Sequence, residues 1–433
     1  MAINIQNLLD AIAAKSASNT PGTLSAGESD ALVNLVTETS NLYDTFYQSD
    51  SATGFTSSQE GLVKTLYSLN TDSFYFTSGR GEWRKQGFLT STVVDQSPRF
   101  QGRTVGLVGT FSSQPSPSTS SAFRRIQKFS LASNANATET NNLYAPSPTN
   151  PIAAPQGAEN KAGFPNHVSH AYMSGGPNFP SPNPATPGTY FSALIDKFPF
   201  AITTELAVNA GDLPQDGEDQ AAVSSETNGY IAGGRIPPFP GFAQTNQIRQ
   251  FIFSSEGTAT NIGSLNTAVR NHTGHCDKTD GYVVGGANTP GPTLTTIQKF
   301  PLVNPTTTTV AGNLSAVAAV AGGISSFTDG YTIGGGTSAG LNMEKFPFAS
   351  STAGVVNASL SLITALNPTA PQYTNLAGIS GYDYGYYAGG IVPGLPNGGA
   401  STHISRFPYS SESTQSDIGD LVRNAYAAAS NQG

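Results

Sequence analysis

Ile297-Gln298-Lys299-Phe300 is one of six copies of a single phrase, and their recurrence decides the fold. The others are Ile126-Gln-Lys-Phe129, Ile195-Asp-Lys-Phe198, Ile248-Arg-Gln-Phe251, Met343-Glu-Lys-Phe346 and Ile404-Ser-Arg-Phe407. A leucine follows each phenylalanine, at Leu143, Leu213, Leu265, Leu314, Leu360 and Leu421, 14 residues on in five copies and 15 in the second. So rigid a gap belongs to a fixed structural unit. Ahead of the phrase stands a glycine pair: Gly175-Gly176, Gly233-Gly234, Gly285-Gly286, Gly334-Gly335 and Gly389-Gly390, with Gly109-Thr110 as a degraded first copy. Successive pairs lie 58, 52, 49 and 55 residues apart, a period that belongs to propellers and solenoids.

Each unit reads as four short strands. A run such as Gly229-Tyr-Ile-Ala-Gly-Gly234 is a strand whose end lies close to another backbone, where only glycine fits. The phrase is the next strand. Its Ile and Phe fall on opposite faces, and both faces are buried only if sheets stack blade against blade. The basic residue between them is expected on the Ile face, its stem along apolar surface and its head in water. Proline after Phe in four copies (Pro199, Pro301, Pro347, Pro408) ends the strand near an edge. The later leucine marks a third strand, and an Ala/Ser/Gly run such as Ala221 to Glu226 or Ala319 to Ser326 supplies a fourth, small enough for a crowded axis. The repeat region opens on the glycine-type strand Gly106-Leu-Val-Gly109 and ends on an inner-strand copy, Asn424-Ala-Tyr-Ala-Ala-Ala-Ser430. The expected fold is therefore mainly β, a six-bladed β-propeller over 99–433 closed by the C-terminal strand.

Residues 1–98 read differently, as a small α+β N-terminal module. Helices are expected at Ile3 to Ala14, at Ser25 to about Tyr47 behind the capping box Ser25/Glu28, and after Ser57/Glu60 along Leu62, Leu66 and Leu69. A β-like stretch runs from Phe74-Tyr-Phe76 through Trp83 to Val93-Val94. Such a module suits an anchor docking onto a larger body.

Composition bounds the function. Of 433 residues 37% are hydrophobic and only 11% charged, and Ser, Thr, Asn, Gly and Pro fill the difference, a mixture that makes turns. The 23 Phe and 17 Tyr can bury a core. A net charge of −8 with no Lys/Arg stripe excludes nucleic acid, because phosphate binding needs cations to displace counterions. No apolar run is long enough for membrane insertion. With Cys276 the single cysteine, an intramolecular disulfide is impossible.

The glycine pairs, variable loops and aromatic strands resemble the kelch class of β-propeller. Kelch repeats usually add a Tyr and a Trp downstream, whereas here the phrase is Lys-Phe-Pro and the single tryptophan, Trp83, lies outside the ring. The pattern Gly-Tyr-x-x-Gly-Gly, Ile-x-Lys-Phe-Pro-Phe, Gly-Asp-Leu, carried best by Gly229-Tyr230, Gly233-Gly234, Ile195 to Phe200 and Gly419-Asp-Leu421, is similar to kelch-like repeats in virion proteins of bacteriophages, notably those of marine bacteria and cyanobacteria. That resemblance implies a non-enzymatic structural protein located in the virion, with residues 1–98 bound to other virion proteins. The propeller would act as a tail fibre or adhesion component against a host cell-surface glycan or protein, as a homo-oligomer in the particle. A capsid decoration or collar role is the architectural alternative, and glycan processing the enzymatic one.

Candidate contacts lie in the loops between glycine pair and phrase, whose lengths vary while the rest of each unit is steadier. Phe179, Tyr190, Phe239, Phe242, Asn288, Leu395 and Asn397 offer apolar flats with amide neighbours, suited to stacking on a sugar face or a protein patch. Unconstrained drift in loop length is the plainer reading. Asp212, Asp216, Glu218 and Asp219 have Ca²⁺-type oxygens but no EF-hand spacing, and read as an acidic solvated loop. His272, His275 and Cys276 have metal-ligand chemistry, but alternation puts the two histidines on opposite faces, and ordinary polar side chains are expected. No nucleophile elbow or phosphate-cradling loop is present. No cofactor or metal is expected.

Overall fold

A computed structural model describes residues 101–109, 125–143, 160–176, 191–202, 207–237, 242–288, 291–316, 318–336, 342–350, 355–359, 372–394, 399–412, 415–425 and 430–432, with the backbone of three strands between 65 and 87. Two compact units divide the chain, Met1–Ser97 and Pro98–Gly433.

In the first unit, Thr65–Ser68, Ser73–Thr77 and Trp83–Gly87 form an antiparallel meander. Leu66, expected on the third helix, lies on the first of these strands instead. Thr65 and Tyr67 are strand formers, and pairing with the Phe74-Tyr-Phe76 strand overrides a capping signal that acts only locally. The other expected helices, and Val93-Val94, fall outside the described residues.

The second unit is the six-bladed propeller, each blade a four-stranded antiparallel sheet. Running outward from the axis, blade 2 holds Lys161–Pro165, His170–Gly175, Ser192–Pro199 and Val208–Gly217, and blade 3 holds Ala221–Ser224, Asn228–Ala232, Gln247–Ile252 and Thr260–Ser264. Blade 4 holds Thr273–Cys276, Asp280–Val284, Thr296–Pro301 and Thr309–Asn313, and blade 5 Gly322–Ser325, Asp329–Ile333, Asn342–Pro347 and Val355–Ser359. Blade 6 comprises Thr374–Ser380, Tyr384–Ile391, His403–Pro408 and Ser416–Asp420. Blade 1 is assembled from both ends of the unit: Ser430–Gln432 is its innermost strand, beside Val105–Gly109, Arg125–Ser130 and Thr138–Asn142. The closure expected from the sequence is present, but the closing strand starts at the serine where the quoted alanine run ends. Each described leucine lies just past its outer strand, except Leu213, which lies within it.

The phrase does what its alternation requires. All six first-position residues are 0% exposed and all six phenylalanines at most 2%. Burying each ring contributes roughly 1.5–3 kcal/mol. Six apolar clusters result, one at every junction between consecutive blades, including the junction of blade 6 with blade 1 through Tyr386, Ile404, Phe129 and Leu131. In blades 2 to 6 the tyrosine of the second strand crosses to the next blade: Tyr386 Oη donates to Leu131 O at 2.6 Å, Tyr331 to Glu412 at 2.6 Å, Tyr282 to Phe348 O at 3.4 Å and Tyr172 to Glu256 at 3.4 Å, with Tyr230 on Leu302 O, while blade 1 has Leu107 at this position.

The glycine pair is a point of backbone contact between blades. Gly285 has φ +66°, and a Cβ there would stand 2.3 Å from Ala318 O in the connection to the next blade. The N–H of the following Gly286 donates to that same carbonyl at 2.7 Å, and the four other pairs repeat the bond on Gly217, Val269, Tyr373 and Ala425.

Candidate functional site: loop face and axial cavity

Every glycine pair leads into the loop that joins the second and third strands, so these loops leave the propeller from one end of its axis. Of the residues expected there, Phe242 and Asn288 are described; Phe179, Tyr190, Phe239, Leu395 and Asn397 lie outside the described residues. Asn288 is half-buried and turns its loop, its N–H bonded to Pro292 O at 3.1 Å. Phe242 is half-buried and packs on Phe191 of the neighbouring blade's loop, ring centres 4.9 Å apart. The Arg235 guanidinium lies 5.3 Å from the Phe242 ring centre and 6.0 Å from that of Phe191.

Arg235 also corrects the reading of the acidic stretch. Glu218 and Asp219 are only 5% and 7% exposed, not solvated. Arg235 pairs with both, its Nε 2.6 Å from Asp219, and Arg270 stands 3.7 Å from Asp219. Burial, then the Asp219 charge beside it, raises the Glu218 pKa, and burial raises that of Asp219 against the pull of the two arginines. Sequence spacing could not reveal these partners, because Arg235 and Arg270 arrive from a later hairpin and a connection between blades.

At the same end of the axis the chain forms a hydrogen-bonded collar. Asn160, Asp219, Asn271, Val320 and Asn375 each precede or open an inner strand with φ between +53° and +58°. The Asp219 N–H donates to Asn160 O at 3.1 Å, Asn271 to Asp219 at 3.2 Å, Val320 to Asn271 at 2.8 Å and Asn375 to Val320 at 2.6 Å. Below the collar the six inner strands enclose a cavity of about 170 Å³. Its walls hold small residues of necessity. A Cβ on Gly274 would stand 2.5 Å from Ala222 O, and one on Gly378 2.3 Å from Gly323 O.

His272 and His275 serve different neighbours, as their alternation implies. His272 Nε2 lies 2.9 Å from Ala232 O and 3.2 Å from Ala221 N in blade 3, while His275 Nδ1 lies 3.0 Å from Ile324 O in blade 5. Burial depresses both imidazoles to about 4 and pushes the Cys276 thiol up to about 12. Among the described residues no three His, Cys, Asp or Glu side chains come together as metal ligands.

A further set escaped the sequence reading altogether. The second position of the phrase, on the Phe face, holds Gln127, Asp196, Arg249, Gln298, Glu344 and Ser405, all at most 2% exposed. Three of them clamp the connection leaving the preceding blade. Glu344 accepts from Ser315 N and Ala316 N at 2.7 and 3.1 Å, Gln298 accepts from Thr267 N at 3.0 Å, and Gln127 accepts from Arg423 N at 2.9 Å. Asp196 pairs instead with Lys161 at 3.1 Å, both side chains 0% exposed. Arg249 is the one basic residue of the phrase at this position. It is buried there rather than lying along the Ile face, and burial lowers its pKa to about 10.

No protein-family model matches this chain, and a search of curated proteins finds no match. Among solved structures, one titled "Structure of YjhT" is similar over 62% of this chain and 86% of that chain, with 13% identity and a TM-score of 0.46. A likeness that distant carries no functional argument.

Proposed function

We propose that this chain is a non-enzymatic structural protein of a bacteriophage particle, whose propeller meets the host surface as a tail fibre or adhesion component. The observation that carries the reading is the confinement of length variation to one end of the ring. From the second glycine of the pair to the phrase phenylalanine the chain runs 22, 17, 14, 11 and 17 residues in blades 2 to 6, and every one of these loops leaves from the collar end. A fixed scaffold with variable loops on one face is the arrangement of a recognition surface. Among the described residues of that face, half-buried Phe242, seated on buried Phe191, offers a flat ring beside the Arg235 guanidinium. The similarity of the repeats to kelch-like virion proteins supplies the particle, and the first 98 residues the attachment to other virion proteins. Support for a non-catalytic role comes from the axial acids and imidazoles, which are engaged with arginine or backbone partners.

The test is competition. Purified chain is expected to bind host cells and to block adsorption of the particle. Failure to bind, together with particle density for this chain on the capsid shell, would replace adhesion with an architectural role.

A further inference from the structure

The repeat supplies its own control for charge at the end of the propeller opposite the collar. Lys197, Lys299, Lys345 and Arg406 hold the third position of the phrase in blades 2, 4, 5 and 6. Lys299 meets Asp280 at 3.1 Å, Lys345 meets Asp329 at 3.5 Å and Glu412 of blade 6 at 2.7 Å, and Lys197 meets Glu256 of blade 3 at 2.5 Å. Two places thus supply the countercharge: the first residue of the second strand, and the turn between third and fourth strands of the next blade. Neither holds an acid around Arg406. By register Tyr384 stands where Asp280 and Asp329 stand, and the blade 1 turn, 131–137, contains no Asp or Glu.

Arg406 lies instead over the Tyr384 ring, 4.3 Å from its centre, and bonds the Tyr386 hydroxyl. Among the described residues no carboxylate, Asp383 of the adjoining turn included, comes within salt-bridge distance of it. One donor spent on Tyr386 leaves most of the five N–H groups of a planar fork that matches a carboxylate in two parallel bonds. A second guanidinium stands on the same hairpin. Gly102 N donates to Ser380 O at 2.7 Å and Gly102 O accepts from Tyr382 N at 3.0 Å, which sets exposed Arg103 over the Tyr382 ring, 4.7 Å from its centre. Tyr382 is the middle residue of its turn, and the middle residue of the same turn one blade back is Phe327, 60% exposed.

These groups ask for carboxylates together with an apolar contact. A chain of net charge −8 repels an acidic partner over most of its surface, so a place where the acids of the repeat are missing is where such a partner can settle. Two observations favour a protein segment over an acidic glycan. Each tyrosine already carries a guanidinium on one ring face, and the freely exposed ring is a phenyl without hydrogen-bonding groups. The turns at this end are also uniform, three residues long in blades 3 to 6 and four in blade 2, which suits a fixed partner. We propose that this surface of blades 5, 6 and 1 docks an acidic segment of another protein, its carboxylates on Arg406 and Arg103 and an apolar side chain against Phe327. It lies at the opposite end from the variable loops and does not rest on adhesion.

The full chain is titrated, with fluorescence anisotropy as the readout, with a labelled peptide of Asp and Glu around a single Phe, with its Asn/Gln counterpart, and with labelled polygalacturonate. The acidic peptide is expected to bind at low salt with a Kd of about 100 μM or tighter, and several-fold more weakly at about 150 mM salt. Arg406→Gln should weaken it about tenfold. Arg103→Gln, at an exposed position, should do the same and decides the matter if the first variant does not fold. Tyr384→Asp gives Arg406 the carboxylate that Asp329 gives Lys345, so it should abolish binding while the chain still melts cooperatively, whereas Tyr384→Asn should keep most of it. The proposal is overturned if the acidic peptide fails to bind in the submillimolar range, if its neutral counterpart binds equally, or if binding survives both arginine substitutions. Binding of polygalacturonate without binding of the peptide also overturns it, and makes the ligand a glycan. Host-cell binding by the Tyr384→Asp variant reads the variable loops alone, so the two sites are judged separately.

Discussion

At the scale of single residues, two glycines with similar backbone angles play unlike parts. Gly285 (φ +66°) has the Ala318 carbonyl where a Cβ would go, whereas Gly257 (φ +90°) has nothing within 4 Å. Gly257→Ala therefore meets only the left-handed backbone penalty, about 1 kcal/mol. Gly285→Ala meets that penalty and also pushes two blades apart, so it should cost about 3 kcal/mol or more. Urea denaturation of the two variants measures the difference, and equal losses would remove the contact from the account. The glycine pairs were readable in the sequence because this contact tolerates no other residue. The second position of the phrase was not. Its residues are Gln, Asp, Arg, Gln, Glu and Ser, and what they share is a fully buried polar side chain, which no residue type encodes.

Among elements, the inner strand Thr273–Cys276 shows how a blade is fastened sideways. His272, just ahead of it, reaches blade 3, and His275 within it reaches blade 5, both as neutral rings. An imidazole with a folded pKa of about 4 and an unfolded value near 6.5 contributes stability that is fully present above 6.5 and is lost as pH falls toward 4. At pH 5 that loss is about 2 kcal/mol per ring. Glu218 and Asp219 act in the opposite sense, since their raised folded pKa values favour the folded state as pH falls. The clean readout is a difference: His275→Gln should gain about 2 kcal/mol relative to the parent between pH 7 and pH 5, and Glu218→Gln should lose ground over the same range. Parallel pH profiles for parent and His275→Gln would exclude a buried neutral ring. That Gln220 and His272 hold equivalent places in their blades, each directly ahead of an inner strand, was hidden in the sequence for an element-level reason. These residues lie at unequal distances from the phrase, and only the strand register aligns them.

For the molecule as a whole, the clusters at every blade junction leave no junction at which the ring ends. Removing residues 422–433 takes away the inner strand of blade 1 together with the Ala425 carbonyl that receives Gly390 and the Arg423 contacts of Gln127. Cooperative unfolding of the propeller should be lost, not merely one blade's share of it, and an intact-like melting curve for that truncation would contradict the closure. The architecture was the best-read level, since six copies of one signal average out local irregularity. The rim contacts have no such repetition behind them, because they were drawn from loop composition, and Phe242, one of the two described, packs a ring face on Phe191.

The closing strand also governs the order of events during synthesis. Val105–Gly109 leaves the ribosome more than 300 residues before Ser430–Gln432, its partner at the axis. Until then the nascent sheet carries a bare hydrogen-bonding edge that any matching tail can fill. When many chains mature side by side, the tail of one copy competes for the opening sheet of another, and interlocked rings are the product to look for when this protein is refolded at high concentration.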